Sequence, residues 1–234
     1  MKTILVVAAH PDDEVLGCFG TVAKLLKDNN AGGGQTNKQY EAFSLILSGG
    51  KKSRAKVEEA ELEKLKNEML EANELIGIKE VFSADFSDNS FDAHPRLQIV
   101  KKIEEIKQKI KPDIIFTHHS GDMNIDHQIT QAAVLTATRP MSDECVKEIY
   151  SFYVPSSTEW GSFGAGCAFI PNVFFDISDT LELKISAMAK YKSELRDYPH
   201  PRSLQHIKEL AIVEGTKVGL KAAESFVCLR KLIG

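Results

Sequence analysis

Two short stretches concentrate the residues that could do chemistry. The first is Ala-His-Pro-Asp-Asp-Glu at 9–14, directly after an apolar run; the second is Thr-His-His-Ser-Gly-Asp-Met-Asn-Ile-Asp-His at 117–127, directly after another. His10 and Asp13 stand three apart where the chain turns from strand to helix, so both can point at one spot. His127 comes at the start of a further helix, after the second polar loop. Two histidines and one carboxylate are a common zinc set that leaves a fourth position for water. Asp12 lies beside Asp13 but points elsewhere, so it can reach a water on the metal without binding the metal, as a general base should. Asp126 can accept a hydrogen bond from a ligating histidine and fix its tautomer. Taken alone, an Asp pair after a proline is an ordinary helix cap that suits the helix dipole. A second His/Asp cluster at another strand end is what turns the reading toward metal chemistry.

The elements must bring these stretches together. Residues 3–9 are continuously apolar and read as a buried strand. A helix follows from Pro11 to about Lys27, with Val15, Leu16, Phe19, Val22, Leu25 and Leu26 as its apolar stripe. Further strands are expected at 41–47, 79–84, 113–117, 146–154, 172–177 and 225–230, and further helices at 54–76, 96–110, 127–138, 180–196 and 203–221. Residues 29–40 read as a surface loop. Strands alternating with helices predict an α/β fold: a Rossmann-like, doubly wound, mostly parallel sheet with helices on both faces. Such sheets bind ligands beyond the carboxyl ends of their strands, near the point where strand order reverses. If strands 3–9 and 113–117 are neighbours, both polar clusters face one crevice. No repeat or linker divides the chain, so 1–234 is read as one domain.

Bulk properties narrow the partners. A net charge of −4 argues against a general nucleic-acid binder, which needs a basic face. No apolar run reaches the roughly 18 residues of a membrane span. The N-terminus enters a strand at once, without a signal-peptide layout. Cys18, Cys145, Cys167 and Cys228 are scattered and form no close pair, which fits a reducing, cytoplasmic setting. Oligomeric state is left open, a homo-oligomer included.

The paired motifs "AHPDDE" and "THHSGDMNIDH" resemble those of the PIG-L/LmbE-like de-N-acetylases, and "SSTEW", "KISAMAKYKSELRDYPHPRS" and "AAESF" are similar to its bacterial branch. The resemblance covers nearly the whole chain and implies a Rossmann-like fold. It also implies hydrolysis of an N-acetyl group from a glucosamine-type sugar conjugate with one zinc ion, iron being the alternative native metal. Carried over, it makes His10, Asp13 and His127 the metal ligands and Asp12 the general base. One departure stands out: some relatives carry a histidine three residues before the last ligand, where this chain has Asn124. An asparagine amide can donate to an oxyanion but cannot relay a proton. His200, between two prolines, is the candidate for the missing imidazole, and His119 the second choice.

Other residues are weaker candidates. Arg202 could clamp a phosphate or carboxylate of a substrate or simply pair with a surface acid. Ser48, with Gly49 and Gly50, ends the second strand at the same sheet edge and could line the pocket, or the stretch could be an ordinary glycine turn. Asp88 and Asn89 could bind sugar hydroxyls or shape a turn. Trp160 could stack on a sugar, although a single Trp is more often core. "GGKKS" lacks the leading glycine of a P-loop and is rejected. Two rival functions remain: a non-catalytic sugar- or nucleotide-binding protein on the same fold, and a zinc amidohydrolase for a non-sugar amide.

Overall fold

The computed structural model describes residues 1–27, 39–49, 59–161 and 168–233. Strand β1 (Lys2–Ala8) runs through the middle of a seven-stranded sheet. Its side chains alternate between two apolar layers: Ile4, Val6 and Ala8 enter one, Leu5 and Val7 the other. Burial on both faces is why this strand is apolar without a break.

In chain order the elements are β1, α1 (Asp13–Lys27), β2 (Tyr40–Ser48), α2 (Glu59–Ile76), β3 (Val81–Phe86), a 3-10 turn (Phe91–Ala93), α3 (Arg96–Ile110), β4 (Ile114–Thr117), α4 (Ile125–Ala137), β5 (Glu148–Phe152), β6 (Val173–Asp176), α5 (Leu181–Met188), α6 (Leu204–Thr216) and β7 (Ala223–Lys231). The sheet order is β3-β2-β1-β4-β5-β7-β6. The first five strands are parallel; β7 runs antiparallel to both β5 and β6. Helices α1, α2, α5 and α6 cover one face, α3 and α4 the other. This is the mostly parallel α/β sheet predicted from the alternation of strands and helices.

Strands β1 and β4 are hydrogen-bonded neighbours. Strand order reverses between them, since β2 and β3 lie on one side of β1 while β4 and β5 lie on the other. The two polar clusters therefore leave the sheet at one switch point.

The helix expected over 180–196 stops at Met188. The N–H groups of Lys190 and Tyr191 donate to the carbonyls of Ala187 and Met188, three residues back rather than four. That tightening ends the helix and turns Tyr191 wholly into the core. The helix expected over 203–221 ends at Thr216, and Gly219 takes a φ of +78° before β7 begins. The 3-10 turn was not anticipated. Most of the 29–40 loop, the start of the predicted 54–76 helix, Gly50, the "KKS" after it and Cys167 lie outside the described residues. Among the described residues, no helix is long and apolar enough to cross a membrane.

Candidate metal centre and active site

Three side chains converge at the carboxyl ends of β1 and β4. His10 Nδ1, Asp13 Oδ2 and His127 Nε2 lie 3.2 Å from one another on all three sides. A tetrahedral ion with bonds of about 2.0–2.1 Å has ligand atoms about 3.3–3.4 Å apart, so the triangle has the size of one face of such a site. The turn itself brings Asp13 close, because its Oδ2 also accepts the backbone N–H of His10 at 2.9 Å.

The far nitrogen of each histidine meets a carboxylate. His10 Nε2 lies 2.9 Å from Asp126 Oδ2 and 3.1 Å from Asp88 Oδ1; His127 Nδ1 lies 3.1 Å from Asp122 Oδ2. With a proton on each far nitrogen, the near nitrogens and Asp13 Oδ2 are three lone pairs aimed at one point. Only a cation or shared protons satisfy such a set, and the residues fit a divalent metal. The electrostatics agree. Burial opposes charge on His10, yet its bonds to Asp126 and Asp13 raise its pKa to about 10. Burial likewise opposes charge on His127, and Asp13 and Asp122 raise it to about 9.

The carboxylates are held in turn. Asp126 Oδ1 accepts the N–H of Phe91, which gives the unpredicted 3-10 turn its purpose. Asp122 accepts the hydroxyls of Ser157 and Thr158 at 2.9 and 2.8 Å and the N–H of Asn124. His118 stacks on His127 with ring centroids 3.9 Å apart. Its Nε2 accepts the N–H of Ala9, and burial first, then the neighbouring His127, keeps it uncharged.

Asp12 is buried beside the triad in an unusual backbone conformation, φ +94°. A non-glycine residue there costs about 1–3 kcal/mol and persists only where its surroundings over-determine it. Its Oδ2 is 2.9 Å from Arg202 Nη1. Its Oδ1 has no hydrogen-bond partner among the described residues. Burial raises the Asp12 pKa, Arg202 opposes the rise, and Asp13 and Glu14 add to it. One oxygen of Asp12 is thus anchored by Arg202, and the other is buried without a partner among the described residues.

The remaining candidates divide. Asn124 is the N-cap of α4: its Oδ1 accepts the N–H of Asp126, and its amide donates to Asn89 at 3.2 Å. Asp88 sits behind His10 rather than alone on the rim. Ser48 is buried at the end of β2, its N–H on the carbonyl of Ala9. Arg202 is engaged by Asp12 and, at 3.1 Å, by Ser156 Oγ. His200 Nδ1 accepts the backbone N–H of Arg202, and its ring packs edge-on to Trp160. Among the described residues, its side-chain hydrogen bond goes to Arg202 and not to the triad. His119 packs edge-on to Phe169. Trp160, for which the core was the commoner expectation, is 55% exposed.

Sequence reasoning passed over Asp122, Ser157 and Thr158, which orient His127. A signal was present: Asp122 stands in the same polar loop as Asp126, and the hydroxyl pair sits in "SSTEW". It also gave no role to Glu14 or Tyr191.

The chain matches the family described as GlcNAc-PI de-N-acetylase (PIG-L) over residues 5–138. It is 24% identical to the diacetylchitobiose deacetylase of Thermococcus kodakarensis, over 96% of this chain and 82% of that protein. It is 28% identical to a probable N-acetyl-α-D-glucosaminyl L-malate deacetylase of Bacillus cereus, over 82% of this chain and 84% of that one. The solved N,N'-diacetylchitobiose deacetylase from Pyrococcus horikoshii superposes with a TM-score of 0.75 at 20% identity, covering 98% of this chain and 84% of its own. GalB, a 4-carboxy-2-hydroxymuconate hydratase from Pseudomonas putida, superposes with a TM-score of 0.72 at 18% identity, covering 100% and 98%. The fold therefore carries more than one reaction, and the two relatives in sequence given above are deacetylases by name.

Proposed function

The chain belongs to the GlcNAc-PI de-N-acetylase (PIG-L) family, and from that premise we propose a metal-dependent enzyme that removes the N-acetyl group of a glucosamine-type sugar derivative. The observation that carries the proposal is the convergence of His10, Asp13 and His127, with the half-anchored carboxylate of Asp12 beside them. A divalent ion held by these three would supply Lewis acidity and lower the pKa of water. Zinc suits this donor set, and iron is the alternative, since two histidines and one carboxylate also serve ferrous sites.

The chain's own residues then do the following. Asp12 takes a proton from the water that adds to the acetamide carbon. Arg202 fixes the anchored oxygen of Asp12, so the other one faces that water. Asn124 can donate to the oxyanion once its amide leaves Asn89. When the C–N bond breaks, the proton returns to the amine nitrogen, and acetate and the free amine depart. Asp12 is one source of that proton and His200, at the rim with Arg202, the other. The exposed face of Trp160 offers a surface for a sugar ring, and Asp88, beside His10, is the candidate for a sugar hydroxyl. Residues 1–234 act as one unit in this reading, because Tyr191 and Arg202 reach the turn at 12–14 from far along the chain.

The named substrates of the two sequence relatives share an N-acetylated glucosamine and differ in what it carries. The test is product analysis on metal-loaded protein with N-acetylglucosamine, diacetylchitobiose, an N-acetylglucosaminyl malate and an N-acetyl amino acid. Acetate and free amine in equal amounts from a sugar, with none from the amino acid, are expected. Acetate from the amino acid alone, or from no compound, would contradict the reading.

A further inference from the structure

Glu14 is an acidic side chain that the chemistry above does not use, and it is completely buried. Its Oε2 accepts the backbone N–H of Asp12 at 3.0 Å. Its Oε1 accepts the amide of Asn73 at 3.0 Å and the hydroxyl of Tyr191. Asn73 is itself fixed, its amide also on the carbonyl of Met69 at 2.9 Å and its oxygen on the hydroxyl of Ser44 at 2.7 Å. Asn73 on α2 and Tyr191 just beyond α5 both reach the carboxylate, and Ser44 on β2 holds Asn73 from behind. Burying an acidic group here is costly when an apolar side chain would pack as well.

What the carboxylate holds explains the cost. Asp12 has its left-handed φ, and its carbonyl accepts the N–H groups of Val15 and Leu16 as α1 begins. Its own N–H goes to Glu14. Both backbone polar groups are thus fixed, one by the helix and one by the buried carboxylate. Were the turn to relax toward negative φ, the side chain of Asp12 would swing away from the triad.

We propose that Glu14 is a positioning residue: it holds Asp12 in the left-handed conformation that aims its unanchored oxygen at the reacting water, and Asn73 and Tyr191 hold Glu14. The proposal rests on Asp12 being the general base. Glu14→Gln is the informative change. A glutamine has one acceptor oxygen, so it cannot serve both Asp12 N–H and the Asn73 amide; one must face an NH₂ group.

The experiment measures kcat, KM, bound metal and melting temperature for wild type, Glu14→Gln, Asp12→Asn and the double variant, on whichever N-acetyl sugar the wild type turns over. Glu14→Gln should lower kcat by about tenfold to a hundredfold, the effect of a misplacement near 1 Å, with KM within about twofold and metal retained. Since Glu14 acts through Asp12, the double variant should be no slower than Asp12→Asn alone. Tyr191→Phe removes only one support and should lower kcat about three- to tenfold; it carries the test if Glu14→Gln does not fold. Wild-type kcat in Glu14→Gln, or a double variant slower by the full product of the single effects, would overturn the positioning role while leaving the base assignment standing. So would metal loss and early melting with unchanged kcat per bound metal. Full turnover in Asp12→Asn would remove the base assignment, and the positioning role with it.

Discussion

Asp12 and Asp13 are adjacent in sequence, yet their surroundings prepare them for different work. Asp13 faces three imidazoles, those of His10, His118 and His127, and although burial opposes its charge, His127 and His118 bring its pKa well below the ordinary range. Asp12 is as deeply buried but has a single cation, Arg202, on one oxygen, and burial, which Arg202 opposes, drives its pKa the other way. Asp12→Asn should therefore keep the metal and lose about two to four orders of magnitude in turnover, whereas Asp13→Asn should lose the metal. Metal analysis of both purified variants checks this, and the reverse pattern would exchange the roles. His200→Ala should reduce kcat at unchanged metal content if the imidazole delivers the amine's proton; unaltered kcat assigns that proton to Asp12. The triad's residues were legible because each cluster follows an apolar run at once. Asp122, Glu14 and Tyr191 were not, because their meaning lies in partners supplied by tertiary folding. The same holds for Arg202, whose charge was visible and whose pairing with Asp12 was not.

At the scale of elements, the site depends on how closely α1 approaches the sheet. A Cβ on Gly17 would lie 2.4 Å from the ring of Phe152 on β5. That ring packs edge-on beneath His118, which stacks on His127. Gly17→Ala should thus cost about 1–3 kcal/mol, the usual penalty of overpacking, and should weaken metal binding as well. A thermal melt and a metal titration on the same sample test both, and a variant that melts like wild type would refute the packing argument. The long apolar strands and α3 were readable because their periodicity is strong. The end of α5 was not: nothing in "SAMAKYKSEL" breaks a helix, and the break follows from the burial of Tyr191 against Glu14.

For the whole molecule, the converging charges couple metal binding to protons. In ion-free protein the surrounding carboxylates, against the cost of burial, raise the pKa of His10 to about 10 and of His127 to about 9. A bound metal would displace both protons, so apparent affinity should weaken by about a hundredfold for each unit of pH lost below about 9. The same groups set the stability of the ion-free form. Their folded pKa values lie above the unfolded value of about 6.5, so their contribution is complete below that pH and is lost as pH rises through 9 to 10. Ion-free protein should melt progressively lower over that window, and metal-loaded protein should not.

The most direct test of the central claim is acetate release from an accepted N-acetyl sugar as metal is stripped and restored, with bound metal counted at each step. The account predicts one ion per chain, activity that falls in proportion as the ion is removed, full recovery on adding zinc or ferrous ion, and no recovery in Asp13→Asn. Acetate release that survives complete removal of metal, or that returns in Asp13→Asn at the same metal concentration, would contradict it.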